Sequence, residues 1–376
     1  MSNWEDLRRE AEFFYKEYEA LEVLGRGLSS VVRRCRHREN GQEYAVKIID
    51  LLQEESPNTA EIQNEIALLK EFAGVDYVIH LFDVYQTETY VFMVFELMKC
   101  ELFEYLNKVQ RMQEKTVKSV MKQLLLAVNE LHSKDIIHRD IKLENVLIDD
   151  NLDVKLTDFG FALRISPAEH LRTLCGTPAY MAPEMLQCAC DKRSPGYSFE
   201  ADVWSCGVLL ATLLSGSSPF YHRRELIMLR LIMAAKYSVE GPEWDHVQAP
   251  AKDLVKKMLV KEPIERISIE KALAHPWFDE VIEEEPAVED EAAAARRKML
   301  LGKFKTAVLV IMATNYLQKL PMSIENMKKN PYATRKVQQD MDSIAFKIYG
   351  HWVKRNTGQD RAALYQQNCH SSKKPR

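Results

Sequence analysis

The chain has 376 residues, 46% of them hydrophobic and 28% charged, with seven cysteines and a formal net charge of −4. Such a length and apolar share can bury a two-lobed core with an appendage. An odd, scattered cysteine set speaks for reduced thiols rather than a disulfide framework, and no apolar run reaches membrane-spanning length. The opening Met1-Ser2-Asn3-Trp4-Glu5-Asp6 has neither a basic start nor an apolar stretch, so no secretory leader and a cytoplasmic location are expected.

In chain order, Leu24-Gly25-Arg26-Gly27-Leu28-Ser29-Ser30-Val31-Val32 reads as strand, glycine-rich turn and strand. Such glycines let a backbone approach phosphates closely, and Ser30 stands where a third glycine is usual. Tyr44-Ala45-Val46-Lys47-Ile48-Ile49 follows as a strand; Val32 and Ala45 are suited to sandwich an adenine, and Lys47 to reach phosphate oxygens. A lysine in that position needs an orienting carboxylate, and the helical run 61–69 offers Glu61 and Glu65. Glu65 is the expected partner, because Leu69 lies four residues on along the same face, towards a later Phe159. The apolar run Met93-Val94-Phe95-Glu96-Leu97-Met98 fits a buried strand leading to a hinge. There the backbone of Glu96 and Met98 would read a base edge, and bulky Phe95 would restrict the space behind it. Strands thus dominate to about residue 97 and helices thereafter, with helical apolar spacing over 102–107 and 116–132.

The strongest signal is HRDIKLEN at 138–145, followed thirteen residues after Asn145 by Asp158-Phe159-Gly160. Phosphoryl transfer through a loose transition state asks a protein mainly to position groups and neutralise charge. Asp140 suits an incoming hydroxyl, Lys142 the charge on the transferring group, and Asn145 with Asp158 a hard metal ion, Asp158 being the anionic ligand. Beyond lie Cys175-Gly176-Thr177-Pro178 and Ala182-Pro183-Glu184. Glu184 is expected to pair with Arg266, since a buried carboxylate left alone is costly. Asp202 is expected to brace the backbone around Arg139. Cys188-Ala189-Cys190 has no second cysteine pair to complete a metal site and reads as structural.

Charge then changes along the chain. Residues 279–291 hold eight acidic residues in thirteen and read as an exposed linker. Residues 296–376 carry seventeen Lys or Arg against four Asp or Glu, a charge of +13 balanced by −17 over 1–295. In that tail Phe304, Val308, Ile311 and Leu317 are read on one helical side, flanked by Lys303 and Lys305. Met341, Ile344, Ala345, Ile348 and Trp352 recur at i, i+3, i+4, i+7 and i+11 among lysines. Basic amphipathic helices of this kind suit the methionine-rich grooves of acidic calmodulin; a helical appendage packed on the enzyme or on other subunits is the alternative.

Together these motifs make residues 20–278 resemble a eukaryotic protein kinase domain, an α+β bilobal fold with a β-rich lobe at 20–97 and an α-rich lobe at 98–278. Residues 1–19 would precede it as an extension, with a linker at 279–295 and a helical regulatory tail at 296–376. Lys142 and Gly176-Thr177-Pro178 resemble the serine/threonine branch. GRGLSSVVRR at 25–34, FELMKCELFEYL at 95–106, Gly241-Pro242-Glu243-Trp244-Asp245, ALAHPWF at 272–278 and the tail around 345–354 resemble the calcium/calmodulin-dependent group and its phosphorylase kinase gamma subunits.

The resemblance implies ATP and Mg2+, with Asp140, Lys142, Asn145 and Thr177 catalytic and Asn145 and Asp158 on the metal. It implies nucleotide contacts from Leu24, Gly25, Arg26, Gly27, Leu28, Ser29, Ser30, Val32, Ala45, Lys47, Glu65, Phe95, Glu96, Met98, Glu101 and Leu147. It further implies a serine of glycogen phosphorylase as acceptor, so promoting glycogen breakdown, large regulatory subunits, and calmodulin held at about 302–326 and 337–361. No nucleic acid or membrane partner is expected. Glu101 and Glu144 match positions that face basic residues of a peptide. Two departures stand out. Lys99-Cys100-Glu101 is one residue shorter than the family's segment, and Thr173 replaces a family glutamate, which leaves either a phosphothreonine or a neutral, locally bonded threonine near Arg139.

Overall fold

The computed structural model describes residues 12–279 apart from 28, 53–55, 110, 167 and 192. Leu28, the linker beyond Asp279, the basic tail and the two segments expected to hold calmodulin lie outside the described residues. The N-lobe sheet runs β1 (Tyr18–Arg26), β2 (Ser30–His37), β3 (Glu43–Asp50), β4 (Leu81–Gln86) and β5 (Tyr90–Glu96), in the order β1-β2-β3-β5-β4 with antiparallel neighbours. Side chains alternate across a strand. Tyr44, Val46 and Ile48 of β3 therefore pack with Cys35, Phe92 and Val94 on one face, and Ala45 and Lys47 point to the other. Register lines up the second face: Lys47 stands opposite Val32 and Met93, Ala45 opposite Phe95, and Gly25 opposite Val32.

A short helix, α1 (Glu12–Glu17), precedes the sheet and closes its core. Phe14 is fully buried, stacked on Phe92 at 4.7 Å between ring centroids and on Tyr18 at 5.5 Å. Residues 12–19, expected to be an extension outside the domain, are thus part of the N-lobe. A lone buried phenylalanine in a six-residue helix leaves no periodic trace in the sequence.

Helix α2 (Thr59–Glu71) begins with a capping box, in which the Asn58 side chain accepts from the Glu61 N–H at 2.9 Å and Glu61 Oε2 accepts from the Asn58 N–H at 3.0 Å. This occupies Glu61 at the helix start. Glu65, one turn further on, is left on the face buried against the cleft.

Below the hinge come β6 (Cys100–Glu101), α3 (Leu102–Val109) and α4 (Glu114–Ser133), then β7 (Ile136–Ile137), β8 (Val146–Ile148), β9 (Val154–Leu156) and β10 (Leu163–Arg164). The C-lobe continues with α5 (Pro183–Cys190), α6 (Glu200–Ser215), α7 (Glu225–Met233), α8 (Ala249–Met258) and α9 (Ile269–Leu273). Helix α6 is apolar on every side and buried from Ala201 to Ser215, as expected of a helix at the centre of a lobe. Helix α4 packs Val117, Val120, Met121, Leu124 and Leu125 inward, so the catalytic loop after it hangs from a rigid support. Among the described residues no helix is long and apolar enough to cross a membrane.

Candidate active site

Between β7 and β8 the chain turns through His138 to Asn145, and one carboxylate fixes that turn. Asp202, at the start of α6, accepts from the backbone N–H groups of His138 at 2.8 Å and Arg139 at 2.9 Å, and meets His132 Nε2 at 3.0 Å. Burial alone would raise the Asp202 carboxyl, but its bond to His132, the charge of His132 and His138 and the loop N–H outweigh it and hold it below the usual range. Arg139 pays for the sharp turn with a φ of 69°, a left-handed conformation uncommon outside glycine.

The loop delivers three groups to one point. Asp140, 4% exposed, receives Lys142 Nζ at 2.5 Å and Thr177 Oγ1 at 2.9 Å on its two oxygens. Asn145 Nδ2 donates to the Asp140 carbonyl at 2.9 Å and to Oδ2 at 3.1 Å. Lys142 also donates to Thr177 at 3.1 Å, tying the loop to the segment beyond Gly176. That segment runs so close that a Cβ on Gly176, itself at φ +88°, would collide with the Arg139 carbonyl oxygen.

The opposite wall comes from β3 and α2. Lys47 Nζ lies 2.7 Å from Glu65 Oε1 and 3.5 Å from Asp158 Oδ1. Burial by itself would depress Lys47, yet the two carboxylates prevail and hold its pKa above the ordinary value. Asp158 shows the converse: burial pushes it up, but Lys47, Lys142 and His138 outweigh this and keep the carboxyl ionised well below neutrality. Asp158 is in the left-handed region at φ 63°, which turns its carboxylate to the cleft while Phe159 is fully buried beneath. The ring that meets Phe159 from the end of α2 is Phe72, just beyond Leu69, with His138 edge-on at 5.1 Å. Asn64 of α2 adds a bond to the Ala162 carbonyl at 2.9 Å.

The remaining nucleotide candidates line the roof, hinge and floor. Leu24, Gly25 and Arg26 end β1; Gly27 donates to the Ser30 carbonyl at 2.8 Å, and Ser29 accepts from the Asp50 N–H at 3.1 Å, closing the turn. Ser30 is the first residue of β2, so it begins the strand where a third glycine would have flexed. Glu96 turns its carboxylate away to accept from the His80 N–H at 2.8 Å and to pair with Lys155 at 3.3 Å; only its main chain is at the hinge with Met98. Glu101 of β6 stands opposite Leu147 of β8, at the floor. Glu144 is the middle residue of the 3-10 turn Leu143–Asn145.

Two features escaped the sequence reading. Tyr197 accepts from Arg139 Nη1 at 3.4 Å and donates to the Thr173 carbonyl at 2.6 Å. Arg139 Nε meets the Phe161 carbonyl at 2.7 Å, so this cation already has neutral acceptors. The other is how fully Arg266 is used. It forms a bidentate pair with Glu184 at 2.7 and 3.0 Å, donates to the Glu200 and Val260 carbonyls, and lies 5.2 Å over the Trp204 ring. A tyrosine after Pro195-Gly196 carries no signal for its role, whereas a buried acid demands a cation.

The model of the protein kinase domain matches residues 18–278. The chain is 43% identical over 368 residues to the phosphorylase b kinase gamma catalytic chain, liver/testis isoform, of Bos taurus, covering 95% of this chain and 88% of the relative. The Homo sapiens protein of the same name gives 43% over 363 residues, with the same coverage. Human death-associated protein kinase 2 is 34% identical over 313 residues, covering 80% of this chain and 83% of that one. With a domain match from β1 to the end of the C-lobe and a relationship that continues through the tail, the chain belongs to the protein kinase family and, within it, to the phosphorylase b kinase gamma catalytic chains.

Proposed function

We propose that this chain transfers the γ-phosphate of ATP to a serine of glycogen phosphorylase, and that calcium acting through calmodulin on the basic tail controls the rate. The observation that carries the chemistry is the Asp140 carboxylate, held by Lys142, Thr177 and Asn145 and facing a wall on which Lys47, Glu65 and Asp158 are already paired. Asp140 orients the acceptor hydroxyl and takes up its proton. Lys142, within reach of both Asp140 and Thr177, neutralises charge on the transferring phosphoryl group. Lys47, steadied by Glu65, holds the phosphates from the other side, and Val32, Ala45 and Leu147 enclose the base. The main chain of Glu96 and Met98 reads the base edge.

The donor set fits Mg2+. Asp158 offers a carboxylate, and Asn145, whose Nδ2 is turned to Asp140, offers an amide oxygen. Hard cations of this size are commonly held by one or two such protein oxygens together with substrate phosphates. When bound, magnesium supplies neutralisation of phosphate charge. The protein's own part is to hold ATP in line with the hydroxyl and to keep the cation's ligands in place.

The acceptor and partners rest on the kinship with the phosphorylase b kinase gamma catalytic chains and on the tail pattern. A basic peptide beside Glu101 and Glu144, calmodulin at about 302–326 and 337–361, large regulatory subunits and a cytoplasmic location complete the reading. The test is phosphorylation of glycogen phosphorylase by the purified chain, with and without calcium and calmodulin, and with Asp140→Asn as control. Incorporation that depends on Asp140 and changes with calcium-loaded calmodulin is expected. Incorporation of equal rate in the control, or none into phosphorylase while other acceptors are labelled, would refute the assignment.

A further inference from the structure

The C-lobe ends on an anchor beside a line of lysines. Trp277 is fully buried, its Nε1 donates to Glu114 Oε1 at 2.8 Å, and Lys118 Nζ sits 5.7 Å from its ring centroid. Asp279 follows, its N–H bonded to the Pro276 carbonyl at 3.0 Å, so the chain leaves the lobe next to the first turns of α4. On α4, Lys115, Lys118 and Lys122 are spaced i, i+3 and i+7. They therefore share one side of the helix, away from the buried stripe of Val117, Val120, Met121 and Leu124. Lys115 and Lys122 are exposed and Lys118 is half-buried.

What departs from that point is the most acidic stretch of the chain, with eight carboxylates among the thirteen residues 279–291. An extended chain of that length reaches ~40 Å, whereas seven residues of helix rise only ~10 Å. We propose that residues 279–291 dock along the Lys115, Lys118 and Lys122 stripe of α4 and fasten the root of the C-terminal segment to the C-lobe. The tether makes the encounter intramolecular, so modest ion pairs suffice. Docking also takes the acidic stretch away from Arg296, Arg297 and Lys298, which begin the basic tail, and leaves that tail's charge for an acidic partner.

The experiment uses the full chain. Carbodiimide cross-linking at low salt, read by mass spectrometry, should join Lys115, Lys118 or Lys122 to carboxylates within 279–291, and 1 M salt should abolish the links, because screening then acts within ~3 Å. Thermolysin cuts at apolar residues such as Val281, Ile282 and Val288. Cleavage there should accelerate roughly tenfold, the scale a few exposed ion pairs reach together, in the triple variant Lys115→Glu, Lys118→Glu, Lys122→Glu. It should accelerate alike in Glu283→Lys, Glu284→Lys, Glu285→Lys, which leaves the lobe untouched, and return towards the starting rate when both sets are combined. Links that go elsewhere, cleavage unchanged in the linker variant, or no rescue in the combination would overturn the proposal. So would capture of an added acidic protein by the stripe with linker cleavage unaltered.

Discussion

The Tyr197 hydroxyl stands between Arg139 and the Thr173 carbonyl, accepting from the guanidinium at 3.4 Å and donating to the main chain at 2.6 Å. The stretch around Thr173 is thereby tied to the catalytic loop through a backbone atom of Thr173, with no charge required on its side chain. Leu171 and Tyr197 also pair as an antiparallel bridge, exchanging N–H and carbonyl bonds at 2.8 and 2.9 Å.

A neutral link of this kind separates two substitutions. Thr173→Ala keeps the carbonyl and is expected to keep phosphorylation activity near the parent's. Tyr197→Phe removes the bridging hydroxyl, and a net hydrogen bond of about 0.5–1.5 kcal/mol corresponds to a loss of roughly two- to tenfold in rate. Steady-state assays on both variants, with mass spectrometry of residue 173, check this. Loss of activity in Thr173→Ala with phosphate found at that residue in the parent would transfer the role to a phosphothreonine.

How much of this was legible in the chain depends on how far each contact reaches. Asp140, Lys142, Asn145 and Asp158 fall in two short runs whose spacing already implies convergence, and they do converge. Lys47 with Glu65, and Glu184 with Arg266, were legible for another reason: a buried charge must find an opposite one, and few were on offer. The choice between Glu61 and Glu65 comes down to the cap, because Asn58 recruits Glu61. Phe14, Tyr197 and His132 were not legible, since each acts across a contact that no helical or strand period marks. The side chain of Glu96 was hidden for the same reason, its carboxylate being spent on His80 and Lys155.

Asp140→Asn should leave nucleotide affinity close to the parent's while lowering phosphoryl transfer by about 10²–10⁴-fold, the range for loss of a positioned proton acceptor. The amide still fits the site but accepts on one oxygen only, so it cannot serve Lys142, Thr177 and the acceptor hydroxyl together. Single-turnover transfer alongside equilibrium ATP binding distinguishes the two effects. A variant that binds ATP weakly but transfers at the parent rate would assign Asp140 to nucleotide binding instead.

Arg266 and Glu184 are 5% and 6% exposed, so removing either partner strands the other. Arg266→Met should cost about 3–5 kcal/mol in chemical denaturation, the usual penalty for an uncompensated buried charge. Adding Glu184→Met should recover part of it, because the orphaned carboxylate is then gone. A double variant less stable than the parent by the full sum of the two single losses would show the two residues to be independent.

The Asp202 brace gives a pH signature of definite sign. Its folded carboxyl lies below the ordinary 3.8, so the stability it contributes is complete above the unfolded pKa and fades as pH falls through the folded value. Asp202→Asn offers one acceptor where His138 N–H, Arg139 N–H and His132 draw on two oxygens, and points an N–H at a donor. It should lose about 2–3 kcal/mol at neutral pH, since bonds to a charged group are the stronger kind. The gap between parent and variant in denaturant midpoint should then narrow as pH is lowered from about 5 towards 3, because only the parent gives up a carboxylate there. The backbone N–H groups of His138 and Arg139 should exchange faster in the variant at every pH. A gap that stayed constant across the acid limb would mean that the shape of the Asp202 side chain, and not its charge, holds the catalytic loop.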